Sequence, residues 1–158
     1  MSSLHVSAID PQRLLAIRTG RRDDAGNPPN CFVASGGEPL RCCLTRAAAG
    51  ESVMLISYWP FTNPSPWTET GPVFVHAEPC SGYQTPDSLP TALRTGPRVL
   101  RTYAADWSLD YDDITVVLGN HDLEPYLVDL KGRSSVATVH VRALESQCFI
   151  YSVGRRHA

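Results

Sequence analysis

The chain is 158 residues long, the span of one ordinary domain, and at that size two independent cores are not expected. Hydrophobic residues make up 42% and charged residues 19%, which excludes intrinsic disorder. The formal net charge of −2 excludes a general pull towards phosphate backbones or anionic membranes, so neither nucleic acid nor membrane is an expected partner. No apolar run approaches the roughly 20 residues that span a bilayer. Of the 14 basic residues only Lys131 is lysine, a bias read here as that of a GC-rich bacterial genome. The start, MSSLHVSAIDPQR, lacks a basic stretch followed by a hydrophobic one, and the five cysteines are odd in number. A reducing cytoplasm with free thiols is the expected setting.

In chain order, Leu4 to Ile9 reads as a short strand. Asp10-Pro11 supplies an N-cap with proline at the first helical position, and Leu14, Leu15 and Ile17 line a helix that runs to Gly20. Residues 21–39, with Asn27-Pro28-Pro29-Asn30 and Gly36-Gly37, read as a long loop. Arg41–Thr45 reads as a short strand. Ser52–Trp59 is apolar on both faces, the mark of a central or doubly covered strand. Residues 60–72, with four prolines, form a second long loop. Val73–Ala77, Arg98–Ala104 and Ile114–Leu118 are strand-like. Asp122 caps a second helix with Pro125 in its first turn; Leu123, Leu127 and Leu130 line one side and Gly132 ends it. Ser135–Ala143 and Gln147–Val153 close the chain as strands. The expected class is α+β: one β-rich domain over residues 1–158, a largely antiparallel sheet or partial barrel with about two helices.

The common enzyme signatures are absent: no Walker loop, dinucleotide glycine fingerprint, Cys-x-x-Cys pair, zincin helix or nucleophile elbow. Val116–Asp122 reads VVLGNHD and resembles the Gly-Asn-His block of calcineurin-like metallophosphatases. The further Asp and His ligands of a two-metal site are missing, so it reads as a strand, a turn and a helix cap. Asp106, Asp110, Asp112 and Asp113 read as a solvated turn, without the glycine and terminal glutamate of an EF-hand loop. Adjacent Cys42 and Cys43, set on a strand, point to opposite faces and do not share a metal.

One constellation carries chemistry. In Ser135–Ala143, Thr138, His140 and Arg142 share a face opposite Ala137, Val139 and Val141. If the last two strands pair about Leu144–Ser146 in an even register, Cys148 joins the face of His140 and Arg142, ~5–8 Å away. A cysteine beside a histidine can be a thiolate nucleophile. Arg41, Arg101 and Arg142 lie within strand-like segments, and Tyr103 shares a face with Arg101. Together they suggest a polar pocket for a carboxylate or phosphate.

The first functional expectation is therefore an enzyme or enzyme-like pocket for a small anionic molecule. Arg41, Arg101 and Arg142 hold the anion, His140 is general acid or base, Cys148 is nucleophile, and Tyr103 completes the catalytic set. No cofactor is expected. The bland reading stands beside it: a packed cysteine, a hydrogen-bonded histidine and surface arginines. The alternative metal reading is a Cys2His2 set of His76, Cys80, His140 and Cys148, which spacing alone does not specify. The second functional expectation is a non-catalytic binding or protein-interaction domain anchored by Tyr58, Trp59, Phe61 and Trp67. A homodimer is one arrangement it allows, and a loop folded back over the sheet edge is its structural counterpart.

The succession RCCL (41–44), GESVMLISY (50–58), GPVFVH (71–76), RVLRTY (98–103) and VATVHVRALESQCFIYSVGR (136–155) resembles the uncharacterised bacterial family called domain of unknown function 1203. The resemblance covers about Pro39 to Arg155. Two departures stand out: Ser146-Gln147 replaces the glycine before Cys-Phe, and Cys-Cys follows Arg41 in place of the usual neighbours. The family carries no activity or cofactor to transfer. It implies a bacterial single-domain protein whose recurring polar residues include Arg41, Arg101, Tyr103, His140 and Cys148.

Overall fold

The computed structural model describes residues 4–155; the ends of the expected domain span, residues 1–3 and 156–158, lie outside the described residues. The strands are β1 (Leu4–Ser7), β2 (Asn30–Val33), β3 (Ser52–Tyr58), β4 (Gly71–His76), β5 (Arg98–Tyr103), β6 (Thr115–Val117), β7 (Thr138–Ala143) and β8 (Phe149–Arg155). The helices are α1 (Pro11–Gly20) and α2 (Glu124–Lys131). The strands form a five-stranded sheet, β1-β8-β7-β5-β6, and a three-stranded sheet, β2-β3-β4. Every ladder is antiparallel, and the sheets do not close into a barrel. This is a β-rich α+β domain.

Both helix starts follow their local chemistry. Asp10 accepts from the Gln12 amide at 2.9 Å with Pro11 behind it, and Asp122 accepts from the Glu124 amide at 3.0 Å. Leu14 and Ile17 are buried, whereas Leu15, read from the sequence as part of the same stripe, is half exposed. Within VVLGNHD, Val116 and Val117 end β6, Gly119 turns at φ +68°, and Asp122 accepts from the Glu124 amide just ahead of α2, whose N-cap is Leu123: an ordinary strand, turn and helix start. Asp106 accepts from Ser108, Asp110 from the Asp112 amide, and Asp113 pairs with Arg133.

Two expectations fail for the same reason, a short segment read without its tertiary partners. Strand β2 runs through what reads as loop, because its ladder to β3 supplies hydrogen bonds that composition does not announce. Arg41–Thr45 is a turn rather than a strand. Leu44 sits at φ +59° and its amide bonds the Leu40 carbonyl at 2.9 Å.

The five-stranded sheet has two different faces. One packs Leu100, Val139, Val141, Tyr151 and Val153 against Leu127 and Leu130 of α2. The other carries Arg101, Tyr103, His140 and Arg142. A separate core of Val53, Met54, Ile56, Val73 and Val75 joins the smaller sheet to Leu14 and Ile17 of α1. The sheets meet where Tyr58, ending β3, packs on Phe149, starting β8, with ring centroids 5.8 Å apart. That seam positions the site.

Candidate functional site

The polar face of β5 and β7 is set by alternation and register. Arg101 stands opposite His140, Tyr103 opposite Thr138, and Val99 opposite Arg142. Between β7 and β8 the even register holds from Val139↔Val153 to Val141↔Tyr151; a bulge then brings Phe149 opposite Arg142. The hairpin turn that follows puts Gln147 at φ +61°, a conformation glycine adopts freely. Two buried arginines brace this turn. Arg41 Nε donates to the Phe149 carbonyl at 2.7 Å, and Arg142 Nη1 donates to that of Gln147 at 2.9 Å. Burial pushes the Arg41 guanidinium down to about 10, which leaves it charged at neutral pH.

A cavity of about 370 Å³ opens in the seam, lined by Arg101, Arg142, Cys148, Glu69, Tyr58 and Phe149 among others. Arg101 Nη1 lies 2.9 Å and Arg142 Nη2 3.0 Å from the same oxygen, Glu69 Oε1. The structure thus brings Arg101, Arg142 and Cys148 together at one cavity. Arg41, Tyr103 and His140 do not line it.

His140 lies in an aromatic box. Its ring is 4.8 Å from Tyr103, 4.9 Å from Phe149, 5.1 Å from Phe61 and 5.7 Å from Trp107, centroid to centroid. It is fully buried, and neither ring nitrogen has a hydrogen-bond partner among the described residues. Burial first, then the charges of Arg142 and Arg101, hold its pKa well below the ordinary range, so the imidazole is neutral at pH 7. Burial likewise pushes the Tyr103 phenol up. The box is closed by the proline-rich segment: Phe61 turns in against Tyr103 and His140, and Trp59 and Trp67 pack beside it.

His76 and Cys80 also meet, but with Cys42 and Cys43 in place of His140 and Cys148. The turn at Arg41–Leu44 lets the adjacent thiols converge to 3.9 Å, where a strand would have parted them. The hydrogen bond from Cys42 pulls the Cys43 thiol down to about 5, and the same contact, with burial, pushes Cys42 up. Sequence reading missed Glu69, which no local signal marks in a proline-rich loop. It also missed the Cys42–Cys43 convergence, because a leucine in the left-handed region is not a residue that announces a turn.

The model of the family described as a protein of unknown function (DUF1203) matches residues 37–155. The chain belongs to this family. The blocks quoted above fall within those residues, so the resemblance drawn from them holds. No curated protein and no solved structure matches the chain. Membership of DUF1203 brings no activity with it. No helix among the described residues is long and apolar enough to cross a membrane.

Proposed function

We propose that this DUF1203 protein binds a small molecule through a carboxylate or phosphate group in the cavity between Arg101, Arg142 and Cys148. One observation carries the reading: two guanidiniums from neighbouring strands converge on a single carboxylate oxygen of Glu69. Forked donors aimed at one oxygen are an anion-binding arrangement. The Arg142 side chain is 8% exposed and tied to the Gln147 carbonyl, whereas Glu69 is 52% exposed on its loop. Glu69 is the replaceable member. A ligand anion takes its position, since two guanidiniums keep a formal charge of +1 against one carboxylate. Tyr58 and Phe149 supply apolar wall, and the cavity volume lies at the small-metabolite end of ligand sites. Cys148 stands at the rim of the same cavity, within reach of what it holds.

Calorimetric titration with citrate, succinate and inorganic phosphate tests the reading. Saturable binding of at least one probe is expected, about 10-fold weaker or worse in Arg101→Gln, the loss of one charged hydrogen bond. Absence of saturable binding in both the natural chain and Glu69→Gln, or binding unchanged by Arg101→Gln, overturns it.

A further inference from the structure

We propose that Cys42, Cys43, Cys80 and Nδ1 of His76 form a tetrahedral site for one zinc-class ion, distinct from the anion cavity, with which it shares no lining residue. The four ligand atoms lie within 4.8 Å of one another. Cys42 Sγ and Cys43 Sγ are 3.9 Å apart, and His76 Nδ1 is 3.5 Å from the first and 3.8 Å from the second. With zinc–sulfur bonds of ~2.3 Å and zinc–nitrogen bonds of ~2.0–2.1 Å, a regular tetrahedron has edges of roughly 3.5–3.8 Å. The three separations match the edges of such a tetrahedron to within a few tenths of an ångström.

The surroundings fit ligand duty. The His76 amide donates to Cys42 Sγ at 3.2 Å, and Thr45 Oγ1 lies 3.0 Å from Cys43 Sγ, both contacts that stabilise sulfur carrying negative charge. Glu51 Oε1 stands 3.5 Å from Nε2 of His76, the ring nitrogen away from the thiols. A carboxylate there holds the proton on Nε2 and leaves Nδ1 as the ligand lone pair. Arg18, on α1, donates to the carbonyls of His76 at 2.9 Å and Ala77 at 3.2 Å, fixing the backbone between two of the ligands. Cys42 is buried, while Cys80 is exposed beside a cavity of about 260 Å³ that also contains Glu51 and Glu78. An ion has a route in, past two carboxylates.

The donor set names the class. Three sulfurs and an imidazole suit zinc and similar soft or borderline ions, not magnesium or calcium. Four protein ligands close the coordination shell, so the ion's role is structural. It ties the 41–45 turn, the end of β4 and the loop at Cys80 into one unit.

Elemental analysis of the reduced, tag-free protein, followed by cobalt(II) titration of the metal-stripped chain, tests the site. About one ion per chain and the visible spectrum of tetrahedral, thiolate-bound cobalt are expected. Cys80→Ser removes an exposed ligand at little cost to packing and should abolish both signals, whereas Cys31→Ser, exposed on β2, should change neither. Glu51→Gln should weaken cobalt binding about 10-fold or more. No tetrahedral cobalt spectrum from the fully reduced natural chain, or full cobalt binding by Cys80→Ser, overturns the proposal.

Discussion

Arg101 and His140 are direct cross-strand partners on β5 and β7, yet one ends in a cavity and the other in a sealed aromatic box. The difference is side-chain length. A guanidinium on its long stem clears the layer that Phe61 lays over the sheet, and the short imidazole stays beneath it.

That burial has a pH signature. The unfolded chain takes up a proton on His140 near its ordinary value of about 6.5, while the folded state holds the group neutral well below that. Protons therefore favour the unfolded state, and the stability contributed at neutral pH declines as the pH falls below about 6.5. This one group accounts for a slope of up to about 1.4 kcal/mol per pH unit. Urea unfolding between pH 7.5 and 5 should show a steeper decline for the natural chain than for His140→Phe. Identical slopes would place His140 in contact with solvent.

Phe61 is the lid of the box, 8% exposed and edge-on to Tyr103 at 5.6 Å and Trp107 at 5.1 Å. Phe61→Ala should cost about 3 kcal/mol of unfolding free energy, from lost burial and the cavity left behind. It should also flatten the pH slope, because water then reaches His140. A cost below about 1 kcal/mol would mean that the proline-rich segment covers the sheet without stabilising it.

Removing the Glu69 charge frees both guanidiniums. In Glu69→Gln, affinity for whichever anionic probe binds should rise several-fold, as a competing intramolecular carboxylate is lost. Stability should change by less than about 1 kcal/mol, since more than half of the Glu69 side chain is in water. Titration calorimetry and thermal melts on the same preparation read the two effects separately.

Gln147 sits at φ +61°, at the position where the resemblance drawn from the sequence implies glycine. The left-handed region costs an L-residue roughly 1–2 kcal/mol, partly offset by the greater unfolded-state freedom of glycine. Gln147→Gly should therefore raise stability by about 0.5–1 kcal/mol, or about 1–4 °C in Tm. An unchanged or lowered Tm would show that the Gln147 side chain holds the turn by contacts worth more than the backbone strain.

Adjacent residues settle the local features of this chain among themselves. Asp10 caps α1 with Pro11 behind it, and Pro125 sits in the first turn of α2, two residues past its N-cap, Leu123, with Asp122 accepting from the Glu124 amide, because an acceptor and a fixed φ act within one turn. The alternation of Thr138, His140 and Arg142 sets one face of β7 because side chains on a strand point to opposite sides in turn. Arg101 and Arg142 share that face on the same ground, whereas Cys148 precedes β8, beyond a bulge at Val141/Arg142 that alternation does not announce. Tertiary structure decided which distant groups meet them. Glu69 reaches Arg101 from 32 positions away, and Phe61 covers His140 from 79 away in the numbering. Neither closeness has a local cause. The cysteine cluster shows the same division more sharply. Read as a strand, Cys42 and Cys43 diverge; held by Leu44 in the left-handed region and by the Phe74 carbonyl accepting from Arg41 at 2.9 Å, they converge on His76. The conformation of that turn is imposed by β4 packing beside it, and a strand thirty residues away leaves no trace in the propensities of Arg-Cys-Cys-Leu.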